Sequence, residues 1–163
     1  MLVDHRIQVE DRWRPVWQRR DASLAYGEWL ATLRPWDWFC TVTFRDEKKA
    51  TPQSVPKVMD WLRTVEAQSG ELVSWVLSEE YGNRNGRFHC HSLLAGCSEV
   101  SRRFAWYTAF TWFGRCKVEV PDSRAIAAHY AAKYAAKQEG QIWLGGKGFG
   151  DVDFFPCKMH IKV

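Results

Sequence analysis

Residues 72–95 read Leu72-Val-Ser-Trp-Val-Leu-Ser-Glu-Glu-Tyr-Gly-Asn-Arg-Asn-Gly-Arg-Phe-His-Cys-His-Ser-Leu-Leu-Ala95. Two apolar runs, Leu72–Tyr81 and Arg87–Ala95, flank the turn-forming segment Gly82-Asn-Arg-Asn-Gly86. That pattern predicts an antiparallel hairpin. Side chains alternate along a strand, so His89 and His91 share one face and Cys90 takes the other. A turn centred on Asn85-Gly86 places Glu80 across from His91, on the same face. A slip of one residue puts Glu79 there instead. Either carboxylate completes a three-ligand set with the two imidazoles and leaves positions open, as a catalytic metal requires and a structural one does not. Mixed nitrogen and oxygen ligands suit Mn²⁺ or Mg²⁺ bound to phosphate oxygens, and would also accept Zn²⁺. Taken alone, the His-x-His pair is more often two half-buried strand residues than a metal site.

The elements around the hairpin define the fold class. Upstream, Trp36–Phe44 (WDWFCTVTF) reads as a strand between Pro35 and the charged run Arg45–Lys49. Its alternation puts Trp38, Cys40, Val42 and Phe44 on one face and Phe39, Thr41 and Thr43 on the other. Ser54–Gln68 is an amphipathic helix, with Val55, Val58, Trp61, Leu62 and Val65 at helical spacing. Downstream come a helix over Glu99–Phe113 and a strand over Arg115–Val120. The alanine-rich helix Ser123–Gln138 follows, uninterrupted by Gly or Pro. Glycines 145, 146, 148 and 150 predict a flexible loop, and a last strand is expected near Asp153–Val163. At the front, Asp21 or Ser23 caps a helix to about Leu33, and residues 1–22 form a loosely ordered arm or a short helix start carrying Arg12, Trp13, Arg14, Trp17, Arg19 and Arg20. The order is α+β, a central antiparallel sheet flanked by helices. It contains the βαββαβ succession of a ferredoxin-like or RNA-recognition-like fold. No linker interrupts residues 1–163, so a single domain is expected.

Composition narrows the class of protein. At 163 residues and 46% hydrophobic the chain can bury a core. The net charge of +4 permits a nucleic-acid partner without demanding one. Ten tryptophans exceed ordinary use; most should be core, and some could be stacking platforms for bases. The five cysteines are odd in number and form no Cys-x-x-Cys pair, which argues against a zinc ribbon or a disulfide framework. A reducing, cytoplasmic compartment is expected. No secretory signal is expected, because the first 20 residues are charged, and no run of 18 apolar residues suggests a membrane span.

The alanine-rich helix holds the second chemical constellation. Tyr130-Ala-Ala-Lys133 is followed directly by Tyr134-Ala-Ala-Lys137. The tyrosines are one helical turn apart on one face, and the lysines repeat that offset. A phenol is a poor nucleophile at its ordinary pKa of about 10, but a nearby cation favours the phenolate. The repeat suggests two nucleophiles that alternate. A helix burying two tyrosine rings, with its lysines in solvent, is the plain alternative.

Three stretches in order, Phe39-Cys-Thr-Val-Thr-Phe44, Glu80-Tyr81-Gly82 leading to Gly86-Arg87-Phe88-His89-Cys90-His91, and Tyr130 to Lys137, resemble the three motifs of HUH endonucleases. The likeness is nearest to rolling-circle replication initiators of microvirus-like phages and bacterial plasmids. It spans roughly residues 36–140. The family's middle residue in the histidine triplet is usually a bulky hydrophobe; Cys90 is smaller and should face the core. The resemblance implies metal ligation by His89 and His91, with Glu80 favoured over Glu79 by its Glu-Tyr-Gly context. It implies sequence-specific nicking and joining of single-stranded DNA through a 5′-phosphotyrosine formed by Tyr130 or Tyr134, with Lys133 and Lys137 steadying charge. Expected partners are single-stranded DNA at a replication origin and the helicase and polymerase of a bacterial host, in whose cytoplasm the protein would act. Rival readings are an HUH transposase or relaxase, or a non-catalytic domain that binds single-stranded nucleic acid. A relaxase usually carries its tyrosine near the N-terminus, whereas these tyrosines follow the histidines.

Smaller signals remain. Arg84 and Arg87 flank the turn and suit either DNA phosphates or a solvated tip. Gly145-Gly146-Lys147-Gly148 lacks the spacing of a phosphate loop. His5, His129 and His160 are isolated.

Overall fold

The computed structural model describes residues 16–45, 52–81, 87–121, 142–150 and 155–156. Among the described residues, three α-helices and six strands follow in order: α1 (Val16–Leu33), β1 (Trp38–Phe44), α2 (Val55–Gln68), β2 (Ser74–Tyr81), β3 (Phe88–Ala95), α3 (Arg102–Phe113), β4 (Gly114–Glu119), β5 (Ile142–Gly145) and β6 (Phe155–Pro156). The strands form one antiparallel sheet in the order β4-β1-β3-β2-β5-β6. Its first four strands are those of the expected βαββαβ succession, so the α+β reading holds.

Helices α2 and α3 cover one face of the sheet. The stripe Val55, Val58, Trp61, Leu62 and Val65 is buried there, joined by Met59, against Trp38, Cys40, Val42 and Phe44 of β1. Helix α3 approaches through small residues, Ala105 and Ala109, and Thr108 accepts a 3.0 Å hydrogen bond from the Trp61 indole N–H. Helix α1 covers part of the opposite face, packing Tyr26 and Leu30 over Phe39, Val76 and Leu93. The Trp36 indole donates to the Leu30 carbonyl at 2.7 Å and seats that end.

Three expectations are sharpened. Helix α1 starts at Val16, so of the two readings of residues 1–22 the helix start applies to residues 16–22. The reason is propensity: Gln18, Arg19, Arg20 and Ala22 favour helix, and no proline interrupts before Pro35. Second, Gly145, expected in the loop, ends a strand Ile142–Gly145 paired with β2. Third, of the strand expected near Asp153–Val163, Phe155–Pro156 is a strand paired with β5, and the rest lies outside the described residues.

The glycines there have a packing role. A Cβ on Gly145 would run into the Trp75 ring, and one on Gly148 would run into the Ser74 hydroxyl oxygen. These glycines bring the backbone against β2. Arg34 fastens the same corner, donating from Nη2 to the Gly148 carbonyl at 2.6 Å and lying 4.8 Å from the Phe149 ring centre. Gly145→Ala should therefore destabilise the fold by about 1–3 kcal/mol, measured by urea unfolding; an unchanged midpoint would show that the Trp75 ring yields freely.

Candidate active site on the open half of the sheet

Pairing of β4, β1, β3 and β2 lines up side chains in rows across the sheet. One row reads Arg115, Thr43, His89, Glu80. The next reads Lys117, Thr41, His91, Ser78. A third reads Glu119, Phe39, Leu93, Val76, and its apolar members lie beneath α1. The face thus changes from apolar to polar along the strands, and the polar end is a cleft of about 280 Å³.

Glu80 stands opposite His89, not His91 as a turn centred on Asn85-Gly86 would require. The register is shifted by two residues. Because the strand repeat is also two, the shift leaves Glu80 on the histidine face. Glu79 pairs with Cys90 on the opposite face and is 6% exposed. Glu80 reaches diagonally, and its Oε2 lies 2.9 Å from His91 Nε2. The structure therefore brings His89, His91 and Glu80 together and separates Glu79 from them.

Each histidine is held from behind by a threonine. His89 Nδ1 lies 2.9 Å from Thr43 Oγ1, and His91 Nδ1 lies 3.1 Å from Thr41 Oγ1. Phe39 stacks on the His91 ring at 5.7 Å and 16°. With the Nδ1 atoms so engaged, Nε2 is the nitrogen that each ring offers to the cleft. Among the described residues, no group of three or more His, Cys, Asp or Glu stands as a ready metal-holding cluster; His91 and Glu80 are bonded to each other. Arg87, Arg115 and Lys117 line the cleft and give it positive charge. Arg87 also donates to the Phe44 carbonyl at 3.2 Å.

Cys90 faces the core, as expected, and burial followed by the charge of Glu79 pushes its thiol pKa up strongly, which makes it inert. Tyr81 also points away from the cleft and packs on Phe88; burial and Glu79 raise its pKa and keep it a phenol. Tyr130, Tyr134, Lys133 and Lys137 lie outside the described residues, as do Arg84, His5, His129, His160 and the helix expected at Ser123–Gln138. Sequence reasoning passed over Thr41, Thr43, Arg115 and Lys117 as site residues. The alternation of β1 already put both threonines on one face; Arg115 and Lys117 needed the knowledge that β4 is the neighbour of β1.

A family model for replication-associated proteins of the ORF2/gene-2-protein type matches residues 37–139, more than half of the chain. The chain belongs to that family. The resemblance to rolling-circle replication initiators is thereby borne out for this replication-associated protein. Comparison with curated proteins finds no match. Among solved structures, the N-terminal nuclease domain of minute virus of mice non-structural protein 1 is similar at 14% identity, over 83% of this chain and 77% of its own, with a TM-score of 0.25. That domain coordinates Zn²⁺ in its active-site pocket and recognises DNA at the origin of replication. The likeness is too slight to transfer any residue's role.

Within the described residues, no helix is long and apolar enough to cross a membrane.

Burial, then the neighbouring His91, lowers the pKa of His89, with Arg87 and Arg115 acting in the same direction and Glu80 against it. The ring is thus neutral at pH 7, with an unprotonated nitrogen. A lowered folded pKa means that the stability from neutral His89 is complete above about pH 6.5 and is lost as pH falls through the folded value. An NMR titration of the metal-free protein should give His89 a midpoint below 6.5; a midpoint at or above it would contradict the described surroundings.

Proposed function

We propose that this replication-associated protein nicks and rejoins single-stranded DNA at a replication origin and starts rolling-circle replication. The observation that carries the reading is the convergence of His89, His91 and Glu80 on one face of a cleft lined by Arg87, Arg115 and Lys117. Its small volume suits one backbone phosphate of a strand that lies mostly outside.

The donor set fits a divalent ion. Two imidazole nitrogens and a carboxylate oxygen share the face, and each imidazole is anchored through its other nitrogen. His89, His91 and Glu80 would hold Mn²⁺ or Mg²⁺, which supplies Lewis-acid polarisation of the scissile phosphate. Arg87, Arg115 and Lys117 attract the strand and offset its charge. None of the three described tyrosines suits the role of nucleophile: Tyr26 is buried between α1 and the sheet, Tyr81 faces away, and Tyr107 is on α3 behind the sheet. This favours Tyr130 or Tyr134. The phenolic oxygen attacks phosphorus, the bond from phosphorus to the 3′ oxygen breaks, and the phenol's proton ends on that oxygen. The products are a 5′-phosphotyrosine and a free 3′-OH, which primes synthesis by a host polymerase behind a host helicase or attacks back to rejoin. With two tyrosines the second takes the next strand, and Lys133 and Lys137 steady the charge. The protein would act in the cytoplasm of a bacterial host.

Incubation with origin single-stranded DNA and Mn²⁺ should give a protein–DNA adduct that survives SDS. Tyr130→Phe combined with Tyr134→Phe should abolish it; a persisting adduct would refute these nucleophiles. His89→Ala with His91→Ala should stop cleavage by at least about a hundredfold while much of the DNA binding remains. A binding-only domain would instead give no adduct and would keep its affinity in the presence of a chelator. Thr43→Val removes one hydroxyl at nearly constant volume and should weaken Mn²⁺ binding about 10–100-fold, read by calorimetry, with Thr43→Ser restoring it. Equal affinity in wild type and Thr43→Val would show that the hydroxyl does not orient His89.

A further inference from the structure

Helix α3 buries Ala105, Ala109 and Phe113 and leaves large aromatic residues exposed. Ala105 and Ala109 face the sheet, whereas Trp106 is 42% and Phe110 40% exposed, with Tyr107 beside them at 63%. The Trp106 and Phe110 rings stack on each other at 5.1 Å and 17°. The Arg45 guanidinium lies 5.7 Å from the Phe110 ring centre. Arg45 directly follows β1, and its backbone N–H donates to the Phe113 carbonyl at 2.5 Å.

The chain carries this flank, which lies behind the sheet, directly into the edge strand of the cleft. Helix α3 ends at Phe113 and β4 begins at Gly114, with no intervening loop. Gly114 makes the joint with φ 114°, in the region that favours glycine, and a Cβ there would meet the Arg45 Cβ at 2.6 Å. The next residue, Arg115, lines the cleft and pairs with Thr43, in the row of His89. Arg115 on the cleft side and Arg45, whose Cβ lies against Gly114, thus flank the joint, and Phe110 and Trp106 follow from Arg45: two guanidinium groups, then two aromatic rings. Arg102 and Arg103 add positive charge to the same helix.

We infer that the Trp106–Phe110 flank of α3 is a stacking platform for unpaired bases of the DNA strand on one side of the phosphate held in the cleft. Arg115 and Arg45 take the phosphates between. The inference rests on reading the cleft as a phosphate site. Charge selects the occupant. A second copy of the chain, or an apolar protein surface, would bury these arginines without partners, at a desolvation cost. A single strand supplies a phosphate for each guanidinium and a flat base for each ring, and aromatic stacking accepts any base.

The test compares oligothymidylates of about 6 and about 20 nucleotides, the second long enough to leave the cleft. Binding is followed by tryptophan fluorescence quenching and by anisotropy of labelled DNA. The variant Trp106→Leu with Phe110→Leu keeps an apolar surface and removes the ring faces. Wild type should bind the long oligonucleotide more tightly than the short one. The variant should lose about tenfold or more on the long one and nothing on the short one. An unchanged affinity for the long oligonucleotide overturns the platform, as does equal loss on both lengths, which would mark a structural role. A wild-type dimer that the variant dissociates, read by light scattering, assigns the face to a second copy and overturns it too. Failure of the cleft reading shows separately: the wild type would give no metal-dependent cleavage while still preferring the long oligonucleotide.

Discussion

The pairing of β1 with β3 is the interaction on which the rest depends. Strand β3 lies inside the sheet, and Phe88 and Cys90 to Ala95 are buried in an unbroken run except for half-exposed His89. A strand buried on both faces cannot carry polar side chains unless each finds a partner. The antiparallel register with β1 supplies them, setting Thr43 against His89 and Thr41 against His91. A slip of one residue would turn both threonines into the core and bring Val42 out under the histidines. Core packing of Cys40, Val42 and Phe44 and polar satisfaction of the histidines therefore specify the same register.

Much of this was legible in the amino-acid order because strands and helices have different periods. The two-residue repeat of Phe39–Phe44 assigned each β1 side chain to its observed face. The helical repeat from Val55 to Val65 found the buried stripe of α2. Even the misplaced turn did no harm, because the error was two residues and parity was kept. The failures have a different origin. Gly145 looked like loop because glycine is read from its backbone freedom, whereas here it is needed for the space beside Trp75. Which residues of α3 face the sheet was not read from the sequence: Ala105, Ala109 and Phe113 are buried, while Trp106, Tyr107 and Phe110 are exposed. Arg115 and Lys117 were invisible as site residues, since which strand neighbours β1 is a long-range fact.

Helix α1 divides the labour of the sheet's second face. It covers the row of Phe39, Leu93 and Val76, and the rows of Thr41 and Thr43 beyond it line the cleft. Phe39 belongs to both regions, buried under α1 while stacked on His91. The cleft thus has an apolar wall on one side and cations on the others, which strengthens electrostatic interactions inside it.

The two hydroxyls behind the histidines have one further consequence. A hydroxyl can donate or accept, whereas a carbonyl or carboxylate in the same place could only accept. With neutral His91 donating from Nε2 to Glu80, Thr41 donates to Nδ1. With Nε2 stripped of its proton, Nδ1 carries it and Thr41 accepts. The exchange needs a hydroxyl hydrogen to rotate and a proton to change nitrogens, while ring and backbone stay where the sheet has set them. The face is rigid in its heavy atoms and adaptable in its hydrogens.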